Sequence, residues 1–152
     1  MKLLTAVVAI IGSVALLVAL AIGVPVAAFL LTYGCHENED RLAVSLSAHG
    51  IFDNRPSGAQ PYGERKTSCE EDDRIVDVQQ IYRLPAGRND VLDFYREVAA
   101  RDGWKPSAED DANGLCSTKA IDGEDVALSV WLNGSGTFSV SLSSSVEDGG
   151  WC

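Results

Sequence analysis

Hydrophobic and polar positions divide this chain at residue 34. From Leu3 to Gly34, a run of 32 residues, no side chain is charged and most positions are Ala, Val, Leu or Ile. A secretory signal peptide carries an apolar core of only about 7–15 residues, and a spanning helix needs roughly 20. As one helix the run would extend ~48 Å, against a hydrocarbon core of ~30 Å, so it spans with tilt or with a bend. Pro25 removes one backbone hydrogen bond and, with Gly23, marks the expected bend. Tyr33 sits where an interfacial aromatic belongs. The pattern therefore predicts a transmembrane helix over residues 1–34, a signal anchor that meets the membrane through residues 3–33.

Beyond the run the periodicity changes. Residues 35–55 read as a linker and a short helical segment: Leu42 and Leu46 share a helical face, Asp40 can cap it, and His49-Gly50 can end it. DNRPSGAQPYGERKTS, residues 53–68, reads as a loop by its Gly, Pro, Asn and Ser content. IVDVQQIYRL places Val76, Val78, Tyr82 and Leu84 on one strand face. NDVLDFYREVAARDGW then carries the stripe Val91, Phe94, Tyr95 and Val98, with Asn89 or Asp90 able to cap its start. Gly103 suits the left-handed position after the helix, and Trp104 can fold back onto Val98 and Ala99.

Three more strands follow. LCSTKAI and DVALSVWL flank Asp122-Gly123, a hairpin signal. TFSVSLS comes after a second Gly-rich turn, with Phe138, Val140 and Leu142 expected inward and its serine face expected in solvent. The fold class is α+β: an N-terminal transmembrane helix, then a small two-layer β-α-β-β-β domain over residues 56–152 with one helix on a mostly antiparallel sheet.

Charge changes the picture next. All 22 Asp and Glu, but 11 of the 12 Lys and Arg, lie after the apolar run. So acidic a surface excludes nucleic acid, which demands a basic one, and disfavours lying flat on anionic lipid. Lys2 and the α-amino group precede the run, whereas Glu37, Glu39 and Asp40 follow it. Positive-inside logic puts the N-terminus in the cytoplasm and residues 35–152 outside the cell membrane. Cysteine usage agrees, because all four cysteines (Cys35, Cys69, Cys116 and Cys152) fall on that oxidising side.

The order of SCEEDD, a strand ending in IYRL, the helix VLDFYREVAARDGW, the strand LCSTK and a two-stranded finish resembles small, uncharacterised membrane-anchored or secreted proteins of actinobacteria. The resemblance covers roughly residues 56–145. It implies the β-α-β-β-β domain and brings no activity and no catalytic residues.

Candidate chemistry is sparse. Before Cys35 stand Thr32, Tyr33 and Gly34; Tyr33 is bulky where a lipidation signal wants a small residue, so Cys35 reads as a membrane-proximal disulfide partner. If the strands at 75–84 and 115–121 are parallel neighbours, their starts share one edge, which favours Cys69–Cys116 and leaves Cys35–Cys152. Glu70–Asp73 and Glu109–Asp111 offer oxygen ligands for calcium, but neither has a calcium loop's spacing, and both read as solvated charge. Cys35 with His36 is too small a set for zinc or copper, and His49 has no ligand-spaced partner. No hydrolase, metalloprotease or phosphate-loop motif occurs, and Asp77, Asp93 and Glu97 form no spaced carboxylate pair; no cofactor is implied. Ala15, Ala19, Gly23 and Ala27 recur every fourth residue, a candidate face for self-association in the membrane. Trp131 and Trp151 are candidate partner-binding aromatics. The expectation is a single-pass, extracytoplasmic binding or structural module and not an enzyme. The alternatives are an extracytoplasmic enzyme or enzyme subunit, a lipoprotein anchored through Cys35, and a ligand or calcium sensor signalling through the span.

Overall fold

The computed structural model describes residues 19–29, 33–83, 89–107, 114–133 and 136–144. The chain divides into two compact units, Met1–Tyr33 and Gly34–Cys152. In the first, residues 19–29 form helix α1, and Tyr33 stacks near Phe29 with ring centroids 5.1 Å apart. Among the described residues no helix is long and apolar enough to cross a membrane. Much of the expected span, Ala15 included, lies outside them.

The second unit is an α+β fold. Helix α2 (Glu37–Ser47) leads into a 3-10 turn (Gly50–Phe52), then strands β1 (Gln60–Pro61), β2 (Lys66–Glu70) and β3 (Ile75–Arg83). Helix α3 (Asn89–Arg101) follows, then β4 (Lys105–Pro106), β5 (Gly114–Ile121), β6 (Glu124–Asn133) and β7 (Thr137–Ser144). The long elements keep the expected β-α-β-β-β order. Among the described residues all pairings are antiparallel, in the order β1-β3-β7-β6-β5-β4, with β2 also on β3.

Local chemistry sets the turns. Asp122 and Gly123 both have positive φ, 54° and 90°, as a two-residue hairpin matched to strand twist requires. Helix α3 stops as expected: Gly103 takes φ +82°, its N–H reaches the Ala100 carbonyl, and the Trp104 N–H returns to Ala99 at 3.0 Å. Trp104 is buried by that fold-back.

Alternation places the core. Val76, Val78 and Tyr82 of β3 share a face with Val126, Leu128 and Val130 of β6 and with Phe138, Val140 and Leu142 of β7. Leu42 and Leu46 of α2 join that core, as do Val91, Tyr95 and Val98 of α3. Tyr82 stacks on Phe138 at 5.1 Å and donates its hydroxyl to the Phe52 carbonyl at 2.6 Å. Gln80, buried among these residues, donates from Nε2 to the Ile81 carbonyl at 2.9 Å. Two helices, not one, thus serve this face.

Three expectations need correction. The stretch 53–68 is not wholly loop: β1 and most of β2 lie in it. As an edge, it pairs through its backbone while nearly all its side chains stay exposed, so no apolar alternation marked it. The serine face of β7 is not freely solvated; Ser139 is 8 % exposed, because the larger Ile81 of β3 and Trp131 of β6 flank it on the same face.

The disulfide pairing also differs: Cys35 is joined to Cys69. The parallel neighbourhood behind a Cys69–Cys116 bond does not exist. Strands β3 and β5 run antiparallel with β7 and β6 between them. Cys69 on β2 and Cys116 on β5 are four strand steps apart, about 19 Å at ~4.8 Å per step, far beyond disulfide reach. The Cys35–Cys69 bond closes a loop across a sequence separation of 34 residues.

Two stability changes follow, each measured by denaturant unfolding of the detergent-extracted chain. No atom lies within 4 Å of a Cβ built at Gly103, so Gly103→Ala is expected to cost about 1–2 kcal/mol through backbone strain alone, and Gly103→Asn less. Replacing Cys35 and Cys69 together by serine is expected to cost up to about 4 kcal/mol by loop-closure entropy.

Candidate functional site

A group of ionisable side chains gathers where the end of α3 meets β5 and the 3-10 turn. The stop of α3 projects Asp102 beside His49, which caps the 3-10 turn from the chain before it. Asp102 Oδ2 accepts from Trp104 Nε1–H at 2.9 Å, lies 3.2 Å from Lys119 Nζ and 3.6 Å from His49 Nε2. Lys119 also donates to the Asp102 carbonyl at 2.6 Å and sits over the Trp104 ring. The His49 and Trp104 rings meet edge to face at 5.7 Å. A cleft of about 330 Å³ opens beside them, lined by His49, Gly50, Asn54, Val98, Arg101 and Asp102 among others.

The electrostatics follow from these distances. His49 Nδ1 accepts from the Ile51 N–H at 3.2 Å, so the neutral ring carries its proton on Nε2, toward Asp102. Burial lowers the His49 pKa below its ordinary 6.5, against the pull of Asp102 and with help from Lys119. For Asp102 burial works upward, but the Trp104 and Lys119 hydrogen bonds and the charges of Lys119 and His49 hold its carboxyl below the usual range. The result is a neutral imidazole N–H and a guanidinium bordering a small cleft, with a carboxylate already engaged by two donors. Such a set can bind a polar group, and none of the lining residues is a serine, threonine or cysteine nucleophile.

A second cleft, about 360 Å³, lies beside the start of α2 and is lined by Glu39, Arg41, Arg74, Asp122 and Glu124 among others. The buried Glu39 caps α2 by accepting from the His36 N–H at 2.9 Å, and it faces Arg74 at 3.6 Å. Burial would raise its pKa, yet backbone hydrogen bonds and Arg74 bring it below the ordinary value. Ser45 donates to Asp122 at 2.6 Å, tying α2 to the β5–β6 turn.

The residues singled out from sequence are scattered. Asp93 pairs with Arg96 on an exposed helix face at 2.7 Å, while Asp77 lies on the sheet face away from the helices and accepts from Ser143 at 3.0 Å. Burial raises the Asp77 pKa, opposed by that hydrogen bond. Glu71–Arg74 forms the β2–β3 turn, and among the described residues no three His, Cys, Asp or Glu side chains are grouped to hold a metal ion; residues 109–111 and Trp151 lie outside the described residues. Cys35 spends its sulfur on Cys69 and offers no thiolate beside His36. Trp131 is 45 % exposed and lies against Gly114, where an added Cβ would come within 2.6 Å of its ring. Ala19, Gly23 and Ala27 are exposed on α1. The partners of His49 escaped the sequence reading, since Asp102 and Lys119 meet it only through tertiary packing. Comparison with protein-family models, with characterised proteins and with solved structures found no match.

The site makes a titration prediction. By NMR, His49 is expected to titrate below 6.5, Asp102→Asn to lower that value further by removing an attraction, and Lys119→Met to raise it by removing a repulsion. As pH falls through 6.5, the unfolded chain takes up a proton that folded His49 refuses, so stability falls toward the folded value. Glu39 and Asp102 extend the loss at lower pH, because their folded values lie below the ordinary 4.5 and 3.8. Asp77 acts oppositely: its contribution is full below 3.8 and is lost as pH rises through its folded value.

Proposed function

We propose that this chain is a single-pass, membrane-anchored extracytoplasmic protein whose α+β domain binds a partner or supports a neighbouring structure and does not turn over a substrate. The observation that carries the reading is the Cys35–Cys69 disulfide. Cys35 directly follows the uncharged run, and the bond fastens the start of the domain to an edge strand of the sheet. Structural disulfides persist in oxidising compartments, which supports an outside location. The same bond speaks against the lipoprotein alternative, because one sulfur cannot carry both a disulfide and a thioether-linked lipid. The engaged state of Asp102 supports binding over catalysis. A likeness to small actinobacterial membrane-anchored or secreted proteins, carried by element order, agrees with this placement. Trp131, with Trp151, is the proposed aromatic contact for a partner, and Ala15, Ala19, Gly23 and Ala27 the proposed self-association face.

The enzyme alternative draws on one observation, the His49 imidazole facing Asp102 across 3.6 Å at a cleft. Two measurements test the location. The chain is expected to stay with membranes through alkaline carbonate washing, and a membrane-impermeant amine reagent is expected to label lysines of residues 35–152 on intact cells. Release by carbonate, or labelling only after lysis, would reject the proposed placement.

A further inference from the structure

Strand β2 leaves the sheet open along one stretch. Among the described residues it pairs with β3 alone, so a row of its N–H and C=O groups faces outward from the edge. Its five residues, Lys66–Glu70, include no proline, and all but Cys69 are exposed. Alternation divides the side chains: Thr67 and Cys69 stand opposite Val78 and Val76 on the helix face, whereas Lys66, Ser68 and Glu70 lie on the other. Neither Lys66 nor Glu70 forms an ion pair among the described residues.

The strand is its own complement. Laid antiparallel against a second β2 and centred on Ser68, it sets Lys66 opposite the second copy's Glu70, Glu70 opposite the second copy's Lys66, and Thr67 opposite Cys69. Opposite charges directly across an antiparallel pair attract. Every pair in this register joins residues of the same parity, so outward backbone groups on one strand meet outward groups on the other. A slip of one residue breaks both matches. Helix α2 agrees with this register. It touches both β2 and β3, and beside β2 it presents a shallow apolar cleft lined by Ala43, Val44, Ser47, Ala48 and Thr67. Val44 is 72 % exposed, the most of any large apolar side chain described.

We propose that two copies of this chain pair through β2, antiparallel about Ser68, so that their sheets run on as one and their α2 helices pack side by side. A helix seated midway over β2 and β3 stands one strand spacing, ~4.8 Å, from the twofold axis, which sets the two helices about 10 Å apart, a packing distance. The small residues Ala43, Ser47 and Ala48 on that flank permit the approach, and each Val44 gains cover from the other copy. The contact is the same patch on both copies and closes on itself, so it yields a dimer and not a filament. It does not depend on where the chain resides.

Sedimentation of the detergent-extracted full chain is expected to give a dimer. Lys66→Glu and Glu70→Lys each set like charges across the pair, and each variant alone is expected to sediment as a monomer. Mixing the two variants, or joining both changes in one chain, restores opposite charges and is expected to restore the dimer, which also shows that the variants fold. Ser68→Cys is expected to link two copies through residue 68 on mild oxidation, because directly opposed Cα atoms lie about 4.5–5.5 Å apart, within disulfide reach. A monomeric unmodified chain, a loss of the dimer that mixing does not rescue, or no link through residue 68 would overturn the proposal. So would a dimer that ignores both charge changes, the result expected if copies associate only through the apolar run.

Discussion

The pairing of β3 with β7 is the constraint on which the domain rests. Eight residue pairs, from Val76–Ser144 to Arg83–Thr137, join the first long strand to the last described one. Their ladder sets β7 inside the sheet, sends β5 to the far side and determines what every later side chain faces. Tyr82 finds Phe138 through this pairing, and Tyr95 of α3 completes the aromatic cluster with a 5.9 Å edge contact to Phe138. The cost is kinetic: strands more than fifty residues apart must meet before their contacts stabilise anything.

Features written in neighbouring residues were legible in the sequence. The Asp122-Gly123 turn, the stripe of α3 and its stop at Gly103 each need no more than a few residues to specify them, and each takes the expected form. The inward faces of β3, β6 and β7 were legible for the same reason, since strand alternation is local. What failed was long-range. A hairpin meander can end with β7 at an edge or beside β3, and the alternation of TFSVSLS is identical in both. The expected parallel approach of β3 and β5 rested on that ambiguity, and the disulfide assignment fell with it.

The same distinction separates the two kinds of candidate residue. Acidic runs and lone cysteines draw attention in a sequence because they are contiguous, yet Glu71–Asp73 turns out to build a hairpin turn. His49 has no suggestive neighbours in sequence, but packing gives it an aspartate, a lysine and a tryptophan. The stop of α3 is what aims Asp102 at it, so a residue pattern that reads as helix chemistry also positions a polar cleft. The signal existed in the sequence, in Asp102-Gly103-Trp104, but it pointed to a cap and not to the histidine it would face.

Proline ends both margins of the sheet. Pro61 lies in β1 on one side and Pro106 in β4 on the other, each without the N–H that a further strand would need. Lys66 adds a charge to the first margin, and β4 is only two residues long. Held at a membrane as proposed, the domain would meet its own copies far more often than in free volume, and an open β edge there would invite edge-to-edge polymerisation. Blunted in this way, the β1 and β4 margins resist backbone pairing with a further strand.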